Sequence, residues 1–338
     1  MSEQREQAEK SVQAEQNVKV EKSVQVEKNV QTELHRDELV HVTVPLEWVG
    51  EMVRDVMKEQ LRIPRKVIRK LVEGQGVLVN GKHVWLSTRL AEGDTLRLML
   101  PAEQSEYILP EPIPFCTVYE DAEVLVVEKQ AGLIVHPTSG HFTGTLANGV
   151  VWSWQRRGVV AKFRPVHRID QYTSGLIVIA KNHFAHTRLT AQMMERTVER
   201  SYLAVVHGEL TDDSGLIDGP IERSDEDRRV RVVRPDGQEA RTEYRVLERY
   251  GTGTLVELKL HTGRTHQIRV HMKHIGHPLF GDAMYQNGDD SEWIARQALH
   301  AQVLGFTHPR TEERMRFVAA LPDDMQRLTE KLRSRRET

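Results

Sequence analysis

A single cysteine, Cys116, among 338 residues leaves no partner for an internal disulfide and removes thiolate-rich zinc sites from consideration. Lone Cys116 lies in an extended apolar stretch with no histidine beside it, so it reads as a small core residue, not a nucleophile. Long apolar runs are also missing. None approaches the roughly 20 residues needed to cross a bilayer, and Met1 to Lys10 is too polar for a signal sequence. No membrane partner and a cytoplasmic location are therefore expected. Excess charge of one sign is lacking as well, since the formal net charge is -2, which taken alone argues against a nucleic-acid partner. The average conceals two opposed segments. Residues 1–38 carry six Lys and Arg against nine Asp and Glu, whereas residues 39–101 carry ten against seven.

What is present is enough chain for about two domains. Residues 9–32 repeat every six residues, beginning Glu9-Lys10-Ser11-Val12-Gln13-Ala14, with every apolar member at an even position. That parity would suit a strand, whereas a six-residue step scatters a helix face. With no aromatic residue and abundant Glu, Lys and Gln, the segment 1–38 cannot offset its ordering entropy and reads as an acidic disordered tail. A docking or self-associating arm is the sharper alternative. A monomer is expected.

Residues 39–101 look globular. Pro64 opens a helix on which Arg65, Lys66, Arg69 and Lys70 share one arc and Val67, Ile68, Leu71 and Val72 the other. No acidic residue between Gln60 and Lys70 balances the cations, which suits a phosphate backbone better than a solvated face. Asn80-Gly81, between Val77-Leu78-Val79 and His83-Val84-Trp85, signals a tight hairpin. This stretch resembles the S4 RNA-binding domain, through Ile63-Pro64-Arg65-Lys66-Val67-Ile68-Arg69-Lys70-Leu71, Gly76 to Lys82, Arg89-Leu90 and Gly93-Asp94. The likeness implies that Arg65, Lys66, Arg69, Lys70 and Lys82 contact RNA, positioning it without reading its sequence.

Residues 102–112, with Pro110 and Pro112, read as a linker. A larger α+β domain with a largely antiparallel sheet is expected over 113–322. It has strands at Val124–Val127, Gly175–Ala180, Tyr202–Val206, Arg241–Leu247 and Thr254–Leu260, and a helix near His183–Met194. Residues 323–338 read as a terminal helix that frays.

Two segments can carry chemistry. In Arg164-Pro165-Val166-His167-Arg168-Ile169-Asp170-Gln171-Tyr172-Thr173-Ser174-Gly175, polar residues run straight into an apolar strand, placing His167, Arg168 and Asp170 on a loop held by rigid structure. The plainer reading makes Asp170 a turn-former, its carboxylate bonded to backbone near Thr173. The second segment, Leu260 to Met272 and on to Pro278, turns at Thr262-Gly263 and enters a helix. Arg264 in its first turn would ask for an anionic partner, being a cation at the positive end of the dipole. The histidines from His266 to His277 spread around that helix and lack the i, i+4 pair with adjacent Glu of hydrolytic zinc sites, so no metal is expected.

Together these segments resemble the RluA-type RNA pseudouridine synthases. Their signature His-Arg-Leu-Asp-x-x-Thr-Ser-Gly-Leu is matched with Ile169 for Leu, and their Gly-Arg-x-His-Gln-Ile-Arg-Val-His segment is followed here by Gly276-His277-Pro278 and Gly281-Asp282. Further likenesses are Glu128 to Leu133 with Val135-His136-Pro137, and Arg200 to Gly208. The resemblance implies that Asp170 is the essential carboxylate, Tyr202 its base or ring partner, and Arg264 the arginine paired with the aspartate. Arg168 would hold the flipped-out nucleotide, with His167, Gln171, Ile268 and Arg269 among the substrate contacts. It implies an RNA substrate, ribosomal ahead of transfer RNA, and no cofactor. Gln171 and Tyr172 replace a basic and acidic pair, Arg200 stands where Lys is usual, and Gln130 replaces Pro. The rivals are a non-catalytic RNA-binding protein and a metal-dependent hydrolase built on the histidines.

Overall fold

The computed structural model describes residues 38–336 apart from 102, 139 and 287. The six-residue repeat lies outside the described residues. Glu38, assigned above to the tail, is instead the buried first residue of a strand, where its carboxylate pairs with Arg97.

The smaller unit is an antiparallel sheet of β1 (Glu38–Thr43), β2 (Val77–Val79), β3 (Lys82–His83) and β4 (Thr95–Met99) in the order β1-β4-β2-β3, packed on helix α1 (Arg65–Glu73). Val67 and Leu71 of α1 are fully buried against Leu96 and Leu98, because residues four apart stack on one helix face. Val72, expected on that buried arc, is exposed at the helix end. Asn80 and Gly81 have φ of 51° and 76°, the paired positive values of a two-residue type I′ turn. A Cβ on Gly76 would stand 1.8 Å from the Met99 carbonyl oxygen, so only glycine lets α1 turn into the sheet this closely.

Between β4 and the next strand the described residues form no helix or strand, yet the segment is anchored. Ile108 is buried, and Glu103 binds both Lys70 of α1 and Arg164 of the larger unit. Phe184 joins the core of the small sheet, so hydrophobic contact as well as charge holds the two units together.

The larger unit carries a ten-stranded mixed sheet. Its elements are β5 (Cys116–Glu120), β6 (Val124–Lys129), α2 (Leu146–Arg156), β7 (Arg164–Pro165), β8 (Ser174–Ala180), α3 (His183–Met194), β9 (Glu199–His207), β10 (Ser214–Asp218), β11 (Ile221–Arg223), β12 (Arg231–Val233), β13 (Arg241–Arg249), β14 (Gly253–Leu260), α4 (Gln267–His274), β15 (Leu299–Thr307), β16 (Arg314–Val318) and α5 (Asp323–Arg336). The sheet runs β10-β13-β14-β9-β15-β8-β6-β5, with β16 on β15 and β7 on β8, while β11 and β12 form a separate hairpin. Every pair is antiparallel except β15 with β8. Cys116 is half-buried on edge strand β5 and so is not a core residue.

Strand β8 is covered on both faces. Ile177 and Ile179 face α2, and Leu176, Val178 and Ala180 face α3, which is why it reads as an unbroken apolar run. Helix α5, expected above to fray, packs against the larger unit. Its Met325, Leu328 and Leu332 are buried against Val205, Tyr250 and Phe280, and Arg296 holds Asp324 by two bonds of 2.6 and 2.9 Å.

Candidate active site

The loop between β7 and β8 is clamped at several points. The backbone N–H of Val178 donates to His167 Nε2 at 3.5 Å, and Arg296 donates to Tyr172 O at 3.2 Å and to Ser174 Oγ at 3.3 Å. Lys129, at the end of β6 and fully buried, donates to the carbonyl oxygens of Gln130, Leu133 and Gln171, each at 2.9 Å. Three acceptors match its three N–H groups. Burial pushes its pKa down to about 7, against the opposing field of Asp170. Gly175, at φ 113°, allows the loop exit to pass β15 where a Cβ would meet the Ala301 carbonyl oxygen at 2.2 Å.

Asp170 lies between these clamps. Its backbone oxygen, not its carboxylate, makes the turn by accepting from Thr173 N at 3.1 Å. The carboxylate is left to side chains. Its Oδ2 accepts from Arg269 Nη1 at 3.2 Å and lies 4.0 Å from His266 Nε2.

This corrects the pairing expected for Arg264. Helix α4 begins at Gln267, whose Oε1 accepts from Arg264 N and Thr262 Oγ1 at 2.9 and 2.8 Å, while its Nε2 donates to Arg241 O and Thr242 Oγ1 at 2.9 and 3.0 Å. Those bonds start the helix later than the sequence suggests. Arg264 therefore precedes the first turn, exposed at the cleft rim, with its Nε donating to Glu239 O at 2.9 Å. The first-turn cation that needs an anion is Arg269. It is buried, with Nε and Nη2 forked onto Asp282 at 2.7 Å each and Nη1 turned to Asp170. Burial acts to lower its pKa, yet the bonds to Asp282 and Asp170 outweigh it and raise it. The Tyr285 ring lies 4.9 Å from the guanidinium carbon.

Tyr202 of β9 lines the same cleft, with Arg168, Ile268 and Leu299. Burial raises its pKa, with Arg200 opposing and Asp170 adding, so at neutral pH the group is a protonated phenol. Arg168 and Gln171 are exposed, and Gln171 Nε2 donates to Gly132 O at 3.1 Å. His167, expected at the substrate, is packed beneath the loop instead, its pKa pushed down to about 3 by burial and by Arg200.

On the smaller unit, Arg65, Lys66, Arg69 and Lys82 are exposed, Arg69 lying 3.5 Å from Glu73. Lys70 departs from expectation. It is half-buried on Glu103, an acidic partner supplied from outside the window where none occurs. Sequence reasoning assigned no role to Lys129, His266, Asp282 or Tyr285. All but Tyr285 lie in the quoted motifs, and their spacing there was the available signal.

Residues 123–274 match the family model described as RNA pseudouridylate synthase, and residues 40–96 match the RluD ribosomal pseudouridine synthase N-terminal domain. An uncharacterized RNA pseudouridine synthase of Bacillus subtilis (strain 168) is 47% identical over 272 residues, covering 80% of this chain and 89% of the relative. The chain belongs to the RNA pseudouridine synthase family. A ribosomal large subunit pseudouridine synthase D of Neisseria meningitidis is 40% identical over 307 residues, covering 87% of this chain and 82% of the relative. Human RNA pseudouridylate synthase domain containing 1 superposes with a TM-score of 0.51 at 25% identity, over 66% of this chain and 96% of that one. As a pseudouridine synthase the protein is an RNA isomerase, and its family-matched segment contains Asp170, Tyr202, Arg264 and Arg269, while Asp282 and Tyr285 lie beyond it.

Proposed function

We propose that the protein isomerises uridines of ribosomal RNA, with Asp170 as the essential carboxylate, Arg269 as the group that holds it, and Tyr202 as the ring against which the base packs. The observation that carries this reading is the carboxylate of Asp170 in an open cleft, gripped from below by a buried guanidinium that is itself anchored on Asp282. The ribosomal substrate is supported by the name of the Neisseria relative and by the match to the RluD N-terminal domain. It implies the compartment that holds ribosomes, the cytoplasm.

A stacked uridine hides its glycosidic bond, so the nucleotide must leave the stack at a cost of a few kcal/mol, offset in part by cationic contacts to the backbone. Arg168 at the cleft and Arg65, Lys66 and Lys82 on the smaller unit supply such contacts in this reading. The C1′–N1 bond then breaks and a C1′–C5 bond forms. N1 gains a proton and C5 loses one, so atoms and electrons balance without oxidant, reductant or water. A carboxylate serves either by attacking C1′ or by taking a proton from C2′.

The test is Asp170→Asn assayed on ribosomal and transfer RNA, scored by the carbodiimide adduct of pseudouridine. RNA affinity should change by less than about threefold while turnover falls by a factor on the order of a thousand or more. Substantial turnover by the variant overturns the role of Asp170, and wild-type modification of transfer RNA alone overturns the substrate.

A further inference from the structure

His266 stands out within the described residues because it combines a left-handed backbone with a bonded, half-buried ring. Its φ and ψ are 58° and 18° at the N-cap of α4, a conformation uncommon for residues other than glycine, asparagine and aspartate. Its side chain does not cap the helix. The Nδ1 atom lies 2.8 Å from the hydroxyl of Tyr285, and the Nε2 atom faces Asp170 Oδ2 at 4.0 Å.

The protons in this chain of groups follow from giving each buried donor an acceptor. The backbone N–H of Arg231, on strand β12 of the separate hairpin, donates to the Tyr285 oxygen at 2.9 Å. An amide N–H can only donate, so the phenol oxygen is the acceptor there. The phenol keeps its own proton, since burial pushes its pKa up to about 12. That proton has His266 Nδ1 as its partner within hydrogen-bonding distance. A neutral imidazole that accepts at Nδ1 must carry its hydrogen at Nε2. Burial lowers the pKa of His266, with Arg269 and Arg231 adding to it and Asp170 and Asp282 opposing, which keeps the ring neutral at pH 7.

We infer that His266 is a positioning residue: Arg231 N–H and Tyr285 O–H lock it in the Nε2–H tautomer, which addresses Oδ2 of Asp170 and leaves Oδ1 as the oxygen presented to the nucleotide. Arg269 addresses the same Oδ2, and no bond to Oδ1 occurs among the described residues. A separation of 4.0 Å is too long for a hydrogen bond in the free protein. A small rotation of the Asp170 side chain closes it, as bonds around reacting groups tighten when substrate enters. The β11–β12 hairpin is thereby tied to the orientation of the carboxylate through Tyr285.

This inference rests on Asp170 being the reacting carboxylate, and the experiment separates the two claims. Nitrogen-15 spectra of the full chain, with His266 assigned by difference from H266Q, report the tautomer without reference to activity. Nε2 should be protonated and Nδ1 bare in the wild type, and Tyr285→Phe should give a tautomer mixture. A protonated Nδ1 in the wild type overturns the assignment. Single-turnover assays of folded H266Q and H266N then test what the tautomer is for. Glutamine places an N–H near the Nε2 position but tolerates the left-handed backbone poorly, whereas asparagine favours that backbone and reaches only to Nδ1. The rate should stay within about threefold of wild type in H266Q and fall by about tenfold or more in H266N, the factor expected for losing one positioned hydrogen bond. Equal rates, or a faster H266N, would make His266 a backbone device only. If Asp170→Asn stays active while the tautomer is found as stated, the reading of Asp170 fails and the proton assignment survives.

Discussion

The floor of the cleft and the outer face of α1 both concentrate charge, but they do so in opposite ways. Arg269 and Asp282 are buried and forked together, so neither can be satisfied except in one geometry. Arg65 and Lys66 stand in solvent, where many geometries serve equally. A buried pair fixes shape at a desolvation cost, whereas an exposed cluster sets a field and little else. Substitutions should therefore separate stability from binding.

The largest effect is expected at the floor. Asp282→Ala strands a buried guanidinium, and unfolding free energy in denaturant should fall by about 3–5 kcal/mol. A loss under about 1 kcal/mol would mean that Asp170 alone satisfies Arg269. Lys129→Met removes the clamp on three carbonyl oxygens. It should cost about 2–3 kcal/mol and slow single-turnover pseudouridine formation, with RNA affinity little changed.

Acid should weaken the larger unit through its buried histidines. His167 and His300 have folded pKa values pushed down to about 3 and about 4, mainly by burial. Below pH 6.5 the unfolded chain binds protons that the folded one refuses. Stability is thus full above about pH 6.5 and falls on acidification towards pH 4, with a slope of up to about 1.4 kcal/mol per pH unit for each group. The slope measured for His167→Gln should be shallower, and an unchanged slope would remove His167 from the account. At the other extreme, Arg65→Ala and Lys66→Ala should leave stability within about 0.5 kcal/mol. Each should weaken RNA binding and reduce the salt slope by about 1. An unaltered salt dependence would take α1 away from the RNA.

The same contrast explains how much could be read from sequence. The Asn80-Gly81 hairpin, the helix at His183–Met194 and the β8 run were legible, because each depends on local turn chemistry or on periodicity over a few residues. The loop holding Asp170 was legible for the same reason. Which arginine meets the carboxylate was not, because it depends on where α4 begins, and Gln267 sets that start through bonds to Arg241 and Thr242 on a distant strand. Strand β15, central between β9 and β8, was missed although it carries the sheet's only parallel pairing among the described residues. Its buried His300 and Gly305 dilute the strand pattern. The docking of α5 was equally hidden, since its apolar residues are few and their partners lie far off in sequence. Lys70 looked unbalanced because Glu103 lies 33 residues away.

In the proposed reaction Arg269, which bonds Asp170, holds the carboxylate, and Arg264, which bonds the Glu239 carbonyl oxygen, does not. Single-turnover pseudouridine formation measured side by side on Arg269→Lys and Arg264→Lys tests it most directly, since lysine keeps the charge but cannot fork onto Asp282 while reaching Asp170. We expect a loss on the order of a hundredfold for Arg269→Lys and about threefold or less for Arg264→Lys. The reverse order would assign the grip on Asp170 to Arg264 and leave Arg269 a structural role only.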